Sequence, residues 1–182
     1  VPQAFTDEMI HMLANRESNE LHGYSPSLGI AAVKEKVAES LNRRFGMCYT
    51  FRHIFMTAGA AGAIAHAVRA VTVPGDEVLT FAPYFPEYNM YVNMTGARLK
   101  MVPADTESFQ IQFGRLEEML TEKVAALLIN TPNNPSGAVY SEDTLKKLAE
   151  LLMRKQKEYG HDIFLISDEP YREIVFDGKK AP

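Results

Sequence analysis

An acidic residue and a tyrosine follow the last apolar run of this sequence. Asp168 closes the run "DIFLISD" at 162–168, and Tyr171 stands shortly after it. A carboxylate at the end of a buried strand needs a partner, because desolvating an unpaired charge is costly. Lysine, arginine or a bound cationic group would serve, and an ordinary buried ion pair is the competing interpretation.

A stiff, amide-rich segment follows the preceding run, 124–130. It reads "NTPNNPSG", and its Thr-Pro and Asn-Pro joints restrict the backbone. We expect a cis peptide bond at Asn134–Pro135 and an amide donor held at a fixed point. A plain turn leading into the next helix is the alternative.

Two further runs end in residues suited to ligand binding. After 77–83, prolines frame Tyr84 and Phe85, and an aromatic side chain on such a loop can stack on a flat ring or cap the core. After 53–59, the turn "TAGAAGAI" offers small residues and the free amide groups of a helix start, which attract an anion such as phosphate. Close packing of a helix on a sheet would explain the same small residues.

The elements that position these residues alternate along the chain. Five apolar runs predict strands, at 53–59, 77–83, 98–104, 124–130 and 162–168. Amphipathic or capped patterns predict helices at 28–46, 60–71, 86–96, 113–122 and 141–160. This order predicts an α/β fold whose mostly parallel sheet has helices on both faces, with ligands bound at the carboxyl ends of the strands. We expect residues 1–46 to form a leading helical segment and residues 47–182 to form the α/β portion.

Composition narrows the class of protein. Hydrophobic residues make up 46% of the 182 positions, and the formal net charge is −4. This balance argues against a nucleic-acid surface or a polybasic membrane patch, and no apolar run approaches the ~20 residues of a membrane span. Cys48 is the single cysteine; it fits a reducing cytoplasm, has no second cysteine with which to share a metal, and is expected to be a small buried residue.

The ordered set of motifs resembles the class I/II aminotransferases, which are fold-type I enzymes that use pyridoxal 5′-phosphate. The small-residue turn, the framed aromatic, "NNPSG" and "SDEPY" carry the resemblance, and "HGYSPSLGIAAVKEKVA" upstream adds to it. The resemblance covers nearly all of residues 1–182 and implies the large, cofactor-binding domain of such an enzyme. It implies transfer of an amino group between an amino acid and a 2-oxo acid.

The resemblance gives each motif a task in binding the cofactor. Asp168 matches the acid that pairs with the pyridine nitrogen, which makes the ring an electron sink. Tyr171 and Asn134 match the groups that bind the 3-oxygen of the ring. Phe85 falls at the stacking aromatic, with Tyr84 as the neighbour to test.

The resemblance also assigns residues to the phosphate of the cofactor and to a contact with a neighbouring subunit. Gly59, Ala60 and Ala61 occupy the phosphate turn, where backbone amides replace the hydroxyl or lysine that the family often has. Tyr24 resembles the tyrosine that reaches the phosphate of a neighbouring subunit, which implies a homodimer with shared active sites.

One catalytic residue of the family has no match in this chain. The lysine that holds the cofactor as a Schiff base lies further along in the family, and neither Lys179 nor Lys180 is assigned that role. We therefore expect a fragment that lacks the small domain and the C-terminal half of the large domain, and that is inactive alone.

Other functions are compatible with the same residues. A C–S lyase or an aminocyclopropane-carboxylate synthase would share the fold, and a regulator could use the domain only to sense the cofactor. An unrelated nucleotide binder would need a GxGxxG or Walker-type turn, and the sequence has neither.

Overall fold

The computed structural model describes residues 1–176, 178 and 180–182. These residues form two compact units, Val1–Met56 and Thr57–Pro182. None of the helices in these described ranges is both long and apolar enough to cross a bilayer.

The first unit is helical. Its helices are α1 (Gln3–Asn15), α2 (Ser18–His22) and α3 (Ala31–Phe45), followed by a 3-10 helix at Phe51–His53. The helix predicted at 28–46 is confirmed as α3, which ends at Gly46 in the left-handed conformation with φ 66°. The prediction for Cys48 is wrong, because its side chain is exposed.

The second unit is built on a parallel sheet. Its described strands are β1 (Glu77–Phe81), β2 (Arg98–Val102), β3 (Val124–Asn130) and β4 (Phe164–Asp168), in the order β2-β1-β3-β4. Every neighbouring pair is parallel. The register sets Asn130 opposite Asp168, so β3 and β4 end side by side.

Helices cover both faces of this sheet, which confirms the predicted fold class. They are α4 (Gly59–Val71), α5 (Tyr88–Asn93), α6 (Phe113–Met119) and α7 (Glu142–Tyr159). Successive side chains of a strand point to opposite faces. Leu127 and Ile129 therefore join the core under α6 and α7, whereas Ala126 and Leu128 join the core under α4 and α5.

The last helix shows how the sequence sets its own boundaries. The Ser141 hydroxyl accepts a hydrogen bond from the Thr144 amide at 3.1 Å, which satisfies one of the unpaired donors of the first turn. Leu148, Leu151 and Leu152 recur at helical spacing and are buried against the sheet. Gly160 ends the helix with φ 74°.

One predicted strand is absent. Within the described residues, the run 53–59 contains the end of the 3-10 helix Phe51–His53 and the first residue of α4, and no strand. A strand exists only where its backbone groups pair with a neighbour, and the four strands of the sheet pair among themselves. Phe55 is 66% exposed as a result.

Candidate functional site

The carboxyl edge of the sheet opens into a cleft of about 240 Å³ within the second unit. Its walls come from the start of α4, the loop after β1, and the loops that follow β3 and β4. The lining residues are Ala60, Ala61, Ile64, Phe85, Tyr91, Asn130, Asn134, Asp168, Pro170 and Tyr171. Six residues singled out from the sequence thus lie around one space: Ala60, Ala61, Phe85, Asn134, Asp168 and Tyr171.

Asp168 is a half-buried carboxylate with no cationic partner among the described residues. Burial raises the pKa of Asp168, the neighbouring Glu169 raises it further, and a hydrogen bond from Tyr88 acts in the opposite direction. No ion pair in the described part of the chain involves Asp168. The site therefore favours a ligand that brings positive charge to this carboxylate.

Tyr88 holds this carboxylate from α5. Its hydroxyl donates to Asp168 Oδ2 at 2.5 Å, and its side chain is fully buried. Burial and the bond to Asp168 raise the pKa of Tyr88 far above its usual range, so the phenol stays neutral and acts as a donor. Sequence reasoning missed this residue, although Tyr88 closes the segment "APYFPEY".

Asn130 joins the ends of the two strands. Its Nδ2 donates to the backbone carbonyl of Asp168 at 2.8 Å, and its Oδ1 accepts from the backbone amide of Asn134 at 2.6 Å. Asn130 is only 4% exposed, so its own end of both bonds is shielded from water. The sequence pattern marked Asn130 as a strand end and gave no sign of these contacts.

The loop after β3 is stiffened by its own side chains. Asn133 Oδ1 accepts from the Ser136 amide at 3.1 Å and from its hydroxyl at 2.8 Å. The Asn134–Pro135 peptide is cis, as predicted, and Thr131–Pro132 is also cis. Asn134 Nδ2 lies 3.5 Å from Tyr171 Oη, so the amide and the phenol predicted to share one ligand atom are adjacent.

The two aromatic candidates after β1 have different surroundings. Phe85 lines the cleft and meets Tyr88 edge-on, with ring centroids 5.7 Å apart. Tyr84 instead stacks on Tyr88 at 6.4 Å, and its hydroxyl accepts from Asn89 at 3.0 Å. The geometry favours Phe85 as the ring that a ligand would meet.

The start of α4 offers backbone donors to the cleft. Gly59 begins the helix with φ 72°, and the N-cap residue Ala58 makes no side-chain hydrogen bond to the first turn. Ala60 and Ala61 carry only methyl groups, so the amide groups of this turn are open to a ligand. A helix start of this kind favours an anion.

Tyr24 and Lys180 are not among the residues that line this cleft. Tyr24 belongs to the first unit, where its side chain is fully exposed, and its contact with a neighbouring subunit stays a prediction. Lys179 lies outside the described residues, whereas Lys180 is exposed. No group of three or more histidine, cysteine, aspartate or glutamate side chains in the described ranges is placed to hold a metal ion.

Comparison with known sequences gives one family. The profile of the family described as Aminotransferase class I and II matches residues 2–182. The aspartate aminotransferase of Bacillus subtilis (strain 168) is 33% identical over 181 residues, which is 98% of this chain and 44% of that protein. The probable aspartate/prephenate aminotransferase of Thermus aquaticus is 35% identical over 156 residues, which is 85% of this chain and 39% of that protein.

Solved structures agree with the sequence comparison. A crystal structure of an aminotransferase from Eubacterium rectale matches with a TM-score of 0.96 and 48% identity, covering 100% of this chain and 46% of that one. The aspartate aminotransferase of Thermus thermophilus with maleate matches with a TM-score of 0.87 and 30% identity, covering 100% of this chain and 45% of that one. The chain thus spans less than half the length of these relatives.

Proposed function

This chain belongs to the class I and II aminotransferases, and we propose that the full-length protein transfers an amino group between an amino acid and a 2-oxo acid with pyridoxal 5′-phosphate. The chain then forms part of the cofactor-binding large domain. The observation that carries this proposal is Asp168, a half-buried carboxylate without a cationic partner among the described residues, which shares a cleft with the uncapped start of α4.

The residues of the cleft fit the cofactor in charge and in hydrogen-bonding capacity. The amides of Ala60 and Ala61 would bind the phosphate, and Asp168 would hold the proton of the pyridine nitrogen. Asn134 and Tyr171 would donate to the 3-oxygen. The bound cofactor supplies an electron-withdrawing ring that stabilises negative charge at the substrate Cα.

Phe85 and the stiff loop after β3 would orient the ring rather than react with it. Phe85 lines the cleft, and stacking of the ligand ring on its side chain would restrict the tilt of that ring. The internal hydrogen bonds of Asn133 hold the neighbouring Asn134 in place, so its amide group would meet the ligand without first being ordered.

Relatives support transamination over the sister activities on this fold. The named relatives include aspartate, aspartate/prephenate, arginine–pyruvate and N-succinyldiaminopimelate aminotransferases. Because their donors differ, the proposal is made for an amino acid and a 2-oxo acid as classes. We propose in addition a cytoplasmic homodimer in which Tyr24 reaches the phosphate of the neighbouring subunit; the single cysteine is consistent with that compartment.

Replacing Asp168 tests the proposal. In the full-length protein, Asp168→Asn should bind pyridoxal phosphate more weakly in equilibrium dialysis and lower turnover of a panel of amino acids and 2-oxo acids about 100-fold or more. Asp162→Asn is the matched control, because Asp162 is exposed just before β4. An Asp168→Asn enzyme with the turnover of its parent would refute the assignment.

A further inference from the structure

Tyr88 is the one side chain in the described ranges that hydrogen-bonds to the Asp168 carboxylate. We infer that Tyr88 is a positioning residue for Asp168: its neutral phenol holds Oδ2 and leaves Oδ1 as the atom that meets the cationic ring of the cofactor. This inference rests on the proposed function and adds a residue to it. The residue does not line the cleft itself and acts through the carboxylate.

Packing fixes the phenol in the orientation that the bond needs. Tyr88 is 0% exposed, because Tyr84 stacks on one side of its ring and Phe85 meets it edge-on. Its backbone amide also donates to the Phe85 carbonyl at 3.1 Å. With both its backbone and its ring held in place, the hydroxyl has little freedom to leave Asp168.

The groups around Asp168 explain why this donor matters. Glu169 follows in the chain and carries negative charge, and the phenol of Tyr171 lies near Tyr88 along with that of Tyr91 on the same helix. Burial and Glu169 both raise the pKa of Asp168, whereas the hydrogen bond from the Tyr88 hydroxyl lowers it. Removing that hydroxyl therefore favours the protonated acid, which cannot hold the proton of the ring nitrogen.

Tyr88→Phe in the full-length protein tests the inference by two measurements. Loss of a hydrogen bond to a charged group should weaken pyridoxal phosphate binding about 10-fold in equilibrium dialysis. In the cofactor-free protein, carboxyl-13C-labelled aspartate should give an Asp168 signal that titrates at higher pH than in the parent. The signal is assigned by its loss in Asp168→Asn. A residue that only filled space would leave this titration unchanged.

Tyr140→Phe is the matched control. Tyr140 is 3% exposed, meets Phe81 edge-on at 6.1 Å, and lies in the core on the other face of the sheet. The same loss of a buried hydroxyl should leave both the titration of Asp168 and the cofactor affinity unchanged. If Tyr88→Phe behaves like Tyr140→Phe, the inference is wrong.

A second substitution keeps the test decisive if Tyr88→Phe does not fold. Incorporating 3,5-difluorotyrosine at position 88 nearly preserves the shape and makes the phenol a stronger donor, so the Asp168 signal should titrate at lower pH. An unchanged or higher titration would overturn the inference.

The outcomes also separate this inference from the proposed function. If Asp168→Asn leaves cofactor binding intact, the proposed function fails. If Asp168→Asn weakens binding while the Tyr88 variants match their controls, only the positioning role fails.

Discussion

Asn130 should be the residue that holds the end of β4 and the loop after β3 in their relative positions. Its side chain donates to the Asp168 carbonyl at 2.8 Å and accepts from the Asn134 amide at 2.6 Å. Asn130→Ala removes both bonds and leaves two polar backbone groups without this partner. One lost bond costs about 1 kcal/mol net, and the other costs about 1–3 kcal/mol if it leaves a shielded group unpaired, so together we expect a loss of about 2–4 kcal/mol from the free energy of local unfolding.

Hydrogen exchange measures this loss at the atom concerned. In "PNNP" at 132–135 the prolines have no amide hydrogen, so only Asn133 and Asn134 report. The Asn134 amide depends on Asn130, whereas the Asn133 amide donates to the Ala138 carbonyl at 2.9 Å. In Asn130→Ala we expect the backbone amide of Asn134 in the full-length protein to exchange about 30- to 700-fold faster. Asn133 then serves as the internal reference.

A second variant separates the two bonds of Asn130. Asn130→Asp keeps an oxygen to accept from Asn134 and loses the donor to Asp168, so it should restore the protection of the Asn134 amide. It should also weaken pyridoxal phosphate binding, because the Asp168 carbonyl loses the donor that fixes the strand end from which Asp168 projects. The reasoning is refuted if Asn134 exchanges at the parental rate in Asn130→Ala, or if Asn130→Asp loses as much protection as Asn130→Ala.

Two further outcomes follow from burial and capping. Burial raises the pKa of Asp168, so the folded cofactor-free protein binds a proton there more readily than the unfolded chain does. Asp168 therefore lowers the stability of the folded protein as the pH rises above the usual aspartate range. Asp168→Asn should therefore raise the melting temperature of the cofactor-free protein at pH 7 and not at pH 3; an equal rise at both would contradict this. Ser141→Ala should lower stability by about 1 kcal/mol through loss of the α7 cap, whereas an unchanged urea midpoint would show that the bond to Thr144 contributes nothing.

The apolar runs correctly predicted the four strands of the sheet, each of which pairs with a neighbour. They wrongly predicted a strand at 53–59, which has no such partner among the described strands. The runs around β1 to β4 and the run 53–59 have similar composition, because composition reports a preference for burial. Whether a run becomes a strand depends on a second backbone to pair with. None of the described strands pairs with 53–59. The composition of this run does not indicate whether a partner strand is present.

Some site residues could be predicted from the sequence, whereas others depend on contacts that only the structure shows. Asp168 and Asn134 follow strand ends, and a parallel sheet brings all such ends to one edge whatever the details of packing. Tyr88 and Asn130 take part through bonds to Asp168 across 80 and 38 positions of the chain. Those bonds depend on side-chain rotamers and on the register of β3 against β4, which local sequence patterns do not encode.

The residues of the cleft that were predicted from the sequence are enough to orient a ligand, because they give the cleft two ends of opposite electrostatic preference. The start of α4 favours negative charge and Asp168 favours positive charge, and both flank the same space. A ligand with an anionic group at one end and a cationic ring nitrogen at the other fits in one direction only. Tyr88 and Asn130 then refine that arrangement, the first by holding the carboxylate oxygen and the second by fixing the strand end from which Asp168 projects.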